Sequence, residues 1–190
     1  RPFDAQPDHT HGCELQATSP GGRVDQGIAI LQPRQPMPTQ LISAHITYNE
    51  ATATSTGLRN DPGPNELYAM HRIALEVFEP LRLWVGGPIK INSFYRSPAV
   101  NAKVGGSKTS QHVKGEAMDL DMDLVSGAKK TNAEVFKYIW SSLPFDQLIY
   151  EFGDAKNPAW VHVSLSAKGR QRRQVLKAVR TSQGTKYVPM

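Results

Sequence analysis

A histidine and an aspartate seven positions apart, His112 and Asp119, are the residues of this chain whose types and spacing most clearly suggest chemistry. Imidazole nitrogens and carboxylate oxygens are common zinc ligands, and Gly115 between the two residues lets the backbone turn so that both side chains can reach one ion. A third ligand must come from another segment. His162 is the best candidate, because it lies within a predicted strand whose flanking valines point to the core. Three protein ligands leave a fourth position for water, as in catalytic zinc sites.

Further polar and aromatic side chains are candidates for roles beside such an ion. A symmetric hairpin would set Glu151 opposite His162, at a separation of about 5 Å. From there Glu151 could take a proton from a metal-activated water and return it to the leaving amine. Arg96 follows a predicted strand and offers a planar fork for a substrate carboxylate or an oxyanion. Trp160 shares the face of His162 and could line the substrate groove, and Ser110 could either orient a ligand or merely cap a loop.

The elements that position these residues follow from hydrophobic periodicity and capping signals. Thr47 and Glu50 form a capping box that opens a short helix ending near Gly57. Longer helices are predicted over residues 67–81, ending at Gly86, and over 131–143, with a further helix start at Ser97. Strands are predicted at 89–93, 116–122, 147–151, 160–165 and 173–179, the last beside 160–165. The predicted fold class is α+β, with helices grouped early that pack on a small, mostly antiparallel sheet carrying the zinc site.

Composition divides the chain into three parts. Residues 1–43 are rich in Pro, Gly, Gln and Ser and are predicted to form an extended arm, which leaves room for an assembly partner. Residues 44–180 are predicted to form the zinc domain, and residues 181–190 a C-terminal tail. The arm contains residues of ligand type but without a recognised spacing, so we predict no functional metal site there; they are Asp8, His9, His11 and Cys13.

Bulk properties exclude several classes of protein. The 190 residues suffice for one ordinary core, and the single cysteine excludes an internal disulfide. No apolar run of about 18 residues predicts a membrane-spanning helix, and the first thirty residues show no secretory signal. The net charge of +5 favours polyanionic partners, such as anionic cell wall. Nucleic acid is not expected, because the basic C-terminal residues lack interleaved aromatic side chains.

From about Thr47 to Val179 the chain resembles the zinc D-Ala-D-Ala carboxypeptidase and phage endolysin family, whose fold is shared by the Hedgehog signalling domain. The residues that carry the resemblance are Ser110, His112, Gly115, Ala117, Asp119, the segment 145–151 and the segment 160–164. The resemblance implies His112, Asp119 and His162 as ligands of one zinc ion, Glu151 as base and Arg96 as a substrate contact. Some members carry a second His two residues before the last ligand, or a carboxylate three before it. Trp160 and Ala159 occupy those positions here, so Glu151 alone would be the base.

We therefore expect a zinc peptidase that acts at the bacterial cell wall on the peptide part of peptidoglycan, with Arg96, Ser110 and Trp160 as candidate substrate-binding residues. Periplasmic, secreted and phage-delivered forms would all fit. The alternative is a zinc-containing binding or structural module, for example a phage virion or tail component that docks on the wall without cutting it. A carboxylate at Glu151 favours the enzyme, since a purely structural zinc site is usually closed.

Overall fold

A computed structural model describes residues 40–190. The predicted arm lies almost wholly outside these residues, as do the four ligand-type residues within it. In chain order the elements are β1 (Leu41–Ser43), β2 (Ile46–Thr47), α1 (Tyr48–Ala51), α2 (Pro64–Ile73), a π-helical turn (Ala74–Phe78), α3 (Glu79–Val85), β3 (Lys90–Ser93), α4 (Pro98–Lys103), a 3-10 turn (Gln111–Lys114), β4 (Ala117–Asp121), α5 (Asn132–Ser142), β5 (Gln147–Glu151), β6 (Trp160–Ser164), β7 (Gln174–Thr181) and β8 (Gly184–Pro189). The α+β class with a mostly antiparallel sheet is confirmed.

Six strands form the main sheet in the order β3-β4-β6-β5-β7-β8, and β1 and β2 form a separate small hairpin. All neighbours in the main sheet are antiparallel except β5 and β7, which are parallel. The prediction that the strand near residues 173–179 lies beside β6 is therefore wrong. The two sides of β6 are already paired with β4 and β5, so β7 adds to the free side of β5. Residues 184–189, within the segment predicted as a tail, pair with β7 as β8.

The long helical segment packs as one rod that consists of α2, the π-helical turn and α3. Pro80 lies in the first turn of α3 and has no N–H to donate to a carbonyl one turn earlier, which accounts for the widened π-helical turn just before it. The rod ends at Gly86, as predicted, where a left-handed φ of 68° lets the backbone N–H donate to the Arg82 carbonyl. No helix within residues 40–190 is long and apolar enough to cross a bilayer.

Alternation along β4, β5 and β6 separates the core from the site. One face of these strands is buried with residues of the helices in a single apolar cluster; the strand members are Met118, Leu120, Leu148, Tyr150, Val161 and Val163, and the helix members include Phe78, Leu81, Val135 and Ile139. The intervening residues point to the opposite face. There Asp119 lies directly across from His162, and His162 across from Ile149. Core packing therefore fixes which side chains the sheet presents to the site.

The hairpin between β5 and β6 has a register that differs from the predicted one. Glu151 pairs with Trp160, and the expectation that it lies opposite His162 is wrong. The pairs Glu151–Trp160, Tyr150–Val161 and Ile149–His162 are evenly spaced about the loop 152–159, so the hairpin closes two residues earlier along β6 than predicted. Within this loop Phe152 has a left-handed φ of 51°, and the Asp154 carboxylate accepts two backbone N–H bonds from the following turn. Because side chains alternate with period two, Glu151 remains on the face of His162 as its diagonal neighbour.

Candidate metal centre and active-site groove

Three buried side chains from three elements converge on the face of the sheet that points away from the main core. His112 comes from the 3-10 turn, Asp119 from β4 and His162 from β6, and none is more than 8% exposed. His162 Nδ1 lies 2.9 Å from Asp119 Oδ1 and 3.3 Å from His112 Nε2. His112 Nε2 lies 3.3 Å from Asp119 Oδ1. The three residues predicted as metal ligands thus form one cluster, the donor cluster, in which one potential ligand atom of each residue faces the other two.

These separations fit a small tetrahedral ion. Two atoms that are each about 2.0–2.1 Å from a tetrahedral zinc lie about 3.3–3.4 Å from one another. The three observed separations, 2.9 to 3.3 Å, are close to the edges of such a tetrahedron. Two imidazole nitrogens and one carboxylate oxygen are also donors that zinc accepts, and a set of three leaves one tetrahedral position for water or substrate. The donor set present here could therefore hold the zinc that the sequence predicts.

The position of His112 is fixed by two local features. The 3-10 turn ends at Gly115, which has a left-handed φ of 71°, and a Cβ there would lie 2.5 Å from the Glu66 carbonyl oxygen. Only glycine fits this close approach between the turn and α2. His112 Nδ1 lies 2.7 Å from the Phe94 carbonyl oxygen. Because a carbonyl oxygen only accepts, Nδ1 carries a proton, and Nε2 is the ring atom that faces the cluster, where the neutral imidazole offers its lone pair to a metal.

Arg96 orients Asp119 from the side opposite the histidines. Its Nη2 donates to Asp119 Oδ2 over 2.6 Å, while its Nε donates to Ser93 Oγ over 2.7 Å. Burial alone would raise the pKa of Asp119, but the charges and hydrogen bonds of His112 and His162 outweigh burial and hold that pKa well below its ordinary value. The aspartate is therefore an anion with one oxygen toward the histidines and the other on Arg96. Arg96, predicted as a substrate contact, lines the groove. Two of its N–H groups are already bonded to Ser93 and to the candidate metal ligand Asp119.

Glu151 lies at the end of β5 on the same face of the sheet and is only 6% exposed. Its carboxylate forms no hydrogen bond or ion pair with another residue among residues 40–190. Burial raises its pKa to about 7; His162 and Arg96 act in the opposite direction, and the negative charge of Asp119 acts with burial. A carboxyl group with this pKa can both take and give a proton near neutral pH, which is what a general base that later acts as an acid requires.

A groove of about 960 Å³ contains the cluster and Glu151. The other candidate substrate residues, Arg96, Ser110 and Trp160, also line it. The Trp160 ring lies 5.3 Å from the ring of Phe152, so the two aromatics form one wall. The volume falls within the range of pockets that bury a small ligand.

Two features of the groove were not predicted from the sequence. Asp146 is 3% exposed and accepts three hydrogen bonds from Arg172, from the backbone N–H at 2.8 Å, from Nε at 2.9 Å and from Nη2 at 2.5 Å. Arg172 also donates to Gln111 Oε1, and so ties the segment before β7 to the turn that carries His112. Tyr187 of β8 lines the groove as well. Asp146 lies within the segment 145–151 that carries the family resemblance, but no pattern in the sequence gives it, Arg172 or Tyr187 a role, because these roles arise from pairings between distant segments.

The sequence model of a protein family described as Peptidase M15 matches residues 41–164, which is about two thirds of the chain. The matched segment contains the three clustered residues, Arg96 and Glu151, and it ends with β6. No curated protein matches the chain.

Proposed function

Because the chain belongs to the peptidase M15 family, we propose that it is a zinc metallopeptidase that hydrolyses peptide bonds in the stem peptides of bacterial peptidoglycan. Its place of action would be the bacterial cell wall, to whose anionic polymers a net charge of +5 attracts it. Family membership supports the class of reaction. The clustered donor atoms support the metal, and the groove beside them offers space for a peptide.

One observation carries the proposal for catalysis: a buried carboxylate, Glu151, lies on the same sheet face as the donor cluster and has a pKa near 7. An ionisable group that is buried without a bonding partner among the described residues costs stability. A site that only held a structural metal would have no use for it. The same observation disfavours the alternative of a module that docks on the wall without cutting it.

In the proposed mechanism His112, Asp119 and His162 would hold the zinc, with Arg96 fixing the orientation of Asp119. Zinc bound there would supply Lewis-acid activation of water and of a peptide carbonyl. The Glu151 carboxylate accepts a proton from the attacking water and then delivers it to the amine nitrogen as the C–N bond breaks. The products are one new carboxyl group and one amine, and Glu151 returns to its starting state. The remaining N–H groups of Arg96 are free to contact a substrate carboxylate or carbonyl.

The test compares wild type with Glu151→Gln, each with its zinc content measured, on purified peptidoglycan from several wall types. Glu76→Gln, an exposed glutamate on the helical rod, is the matched control. We expect solubilised peptide fragments from wild type and Glu76→Gln. Glu151→Gln should be at least about 100-fold slower with zinc retained, because general-base catalysis contributes about 10²–10⁴-fold. Equal release by wild type and Glu151→Gln would refute the role of Glu151. No release from any wall type by zinc-loaded wild type would favour the docking module.

A further inference from the structure

The C-terminal hairpin β7–β8 lies beyond the segment matched by the family, yet it forms one side of the groove. Its register continues the row of residues that starts at the donor cluster. His162 lies across from Ile149, Ile149 across from Leu176, and Leu176 across from Pro189. Because directly paired residues point to the same face, these side chains form one strip across the sheet. The strip begins at a candidate metal ligand and runs toward the C-terminal edge.

The strip beyond His162 is apolar. Ile149 and Leu176 belong to a small hydrophobic cluster separate from the main core, with Phe152 packed against it. Ile149, Leu176 and Pro189 all line the groove. None of these side chains could pair with a charge, so a charged substrate group placed over them would lose its hydration without compensation. An apolar group placed there would instead gain from burial.

Polar side chains border the strip on both sides. Two residues earlier on β5 and β7 lies a row of Gln147 and Gln174, in which the Gln147 side-chain amide donates to Gln174 Oε1 over 2.7 Å. Two residues later on β5 and β7 lies a row of Glu151, Ala178 and Tyr187, which pair with one another across β5, β7 and β8. Because Ala178 is small, nothing in that row separates the tyrosine from the glutamate. An extended peptide could therefore bond its backbone to the polar rows while one of its apolar side chains lies on the strip between them.

Tyr187 is suited to donate a hydrogen bond in this row. It is 48% exposed and lines the groove. Burial of part of the ring raises the pKa of Tyr187, and the negative charges of Glu151 and Asp119 raise it further. The phenol is therefore protonated at neutral pH, and the nearby carboxylates favour a donor at this position over an anion.

We propose that the β7–β8 hairpin completes a substrate subsite, in which the strip of Ile149, Leu176 and Pro189 takes a small apolar side chain next to the scissile bond and the Tyr187 hydroxyl donates to a substrate carbonyl. This inference rests on the proposed function for its substrate, a stem peptide. Alanine residues of such peptides have side chains of the required size and polarity. The hairpin thereby selects among peptides, whereas the donor cluster and Glu151 perform the reaction on any peptide that binds.

Binding can be measured apart from cleavage by using the zinc-loaded Glu151→Gln variant. The probe is the synthetic peptide L-Ala-γ-D-Glu-L-Lys-D-Ala-D-Ala, together with three versions in which one alanine is replaced by glycine. Affinities are determined by titration calorimetry in the Glu151→Gln background and after adding Leu176→Thr or Tyr187→Phe. Matched controls are Val175→Thr, on the opposite face of β7, and Tyr68→Phe, an exposed tyrosine of α2. Circular dichroism establishes that each variant is folded; Tyr187→Phe keeps the ring and tests the hydroxyl alone.

We expect one alanine-to-glycine peptide to bind about three- to tenfold more weakly than the parent peptide. Leu176→Thr should remove most of that preference, and Tyr187→Phe should weaken every peptide about two- to tenfold. Both controls should behave like the Glu151→Gln parent. An unchanged alanine preference in Leu176→Thr, or unchanged affinity in Tyr187→Phe, would overturn the subsite.

Cleavage of the same peptides by wild type separates this inference from the proposed function. Binding with the expected preferences but without any cleavage would leave the subsite standing and overturn the peptidase. If wild type cleaves the peptides but Leu176→Thr and Tyr187→Phe leave the affinity unchanged, the peptidase stands and the subsite is overturned. Neither binding nor cleavage of any of the four peptides would overturn both.

Discussion

Replacing Glu151 by glutamine should change how the stability of the metal-free protein depends on pH. The folded state raises the pKa of Glu151 from 4.5 to about 7, so between these values the unfolded chain loses this proton while the folded chain keeps it. The free energy of unfolding must therefore fall as pH rises through this window, and the loss is complete above the folded pKa. Each unit of difference between the folded and unfolded pKa values changes the free energy of unfolding by about 1.4 kcal/mol. The 6% exposure of Glu151 gives little screening by solvent, so the full loss is about 3 kcal/mol.

Glutamine is neutral at every pH and removes this contribution. At pH 4.5 the unfolding free energies of wild type and Glu151→Gln should be similar, and at pH 8 the variant should be more stable by about 3 kcal/mol. The chelated protein is required because a bound dication would favour the ionised carboxylate.

Urea unfolding followed by tryptophan fluorescence at pH 5, 6, 7 and 8 measures the effect, with Glu76→Gln as the matched control. If the free energies of unfolding of wild type and Glu151→Gln differ by the same amount at every pH in this range, the reasoning is refuted. They would mean that Glu151 ionises as it does in water, and that burial in the groove does not prepare it as a base.

Three other changes give equally definite expectations. Gly115→Ala should lower the unfolding free energy by about 2–4 kcal/mol in urea titrations, because the left-handed φ and a Cβ 2.5 Å from the Glu66 carbonyl cannot both be relieved locally. His162→Ala should abolish zinc-dependent stabilisation, whereas wild type at zinc 100-fold above its Kd should gain about 2.7 kcal/mol, seen as a rise in Tm. Asp146→Asn should cost about 1–3 kcal/mol at pH 7 and progressively less as the pH falls below the ordinary pKa of an aspartate, because burial opposes the charge but Arg172 holds the pKa of Asp146 below its ordinary value. An Asp146→Asn cost that does not change with pH would assign the loss to packing instead.

The site was predictable where short-range patterns determine it. A spacing of seven residues around a glycine that the fold requires pairs His112 with Asp119. Alternation within one strand places His162 on the face that points away from the core. The prediction for Glu151 had the wrong register but the right face. A shift of two residues along β6 leaves a period of two unchanged, so this error did not remove Glu151 from the groove.

The remainder depended on pairings between segments far apart in the chain. Nothing in residues 173–179 indicates whether they pair with β5 or β6, since both strands are equally apolar on their core face. Tyr187 lies among polar and glycine residues without a clear period, and only its pairing through Ala178 to Glu151 reveals a role. Strand order in a mixed sheet is set by which edges remain free, and one sequence does not encode that locally.

The parallel pairing of β5 with β7 also bears on how the protein can be handled. A chain cut after Ser164, where the family match ends, would leave β5 as an outer strand. Its N–H and C=O groups now bonded to β7 would be unpaired, beside the apolar side chains of Ile149 and Tyr150. Such an edge is a template for sheet growth between molecules, so the shortened protein would aggregate. The smallest soluble unit is therefore longer than the segment that defines the family.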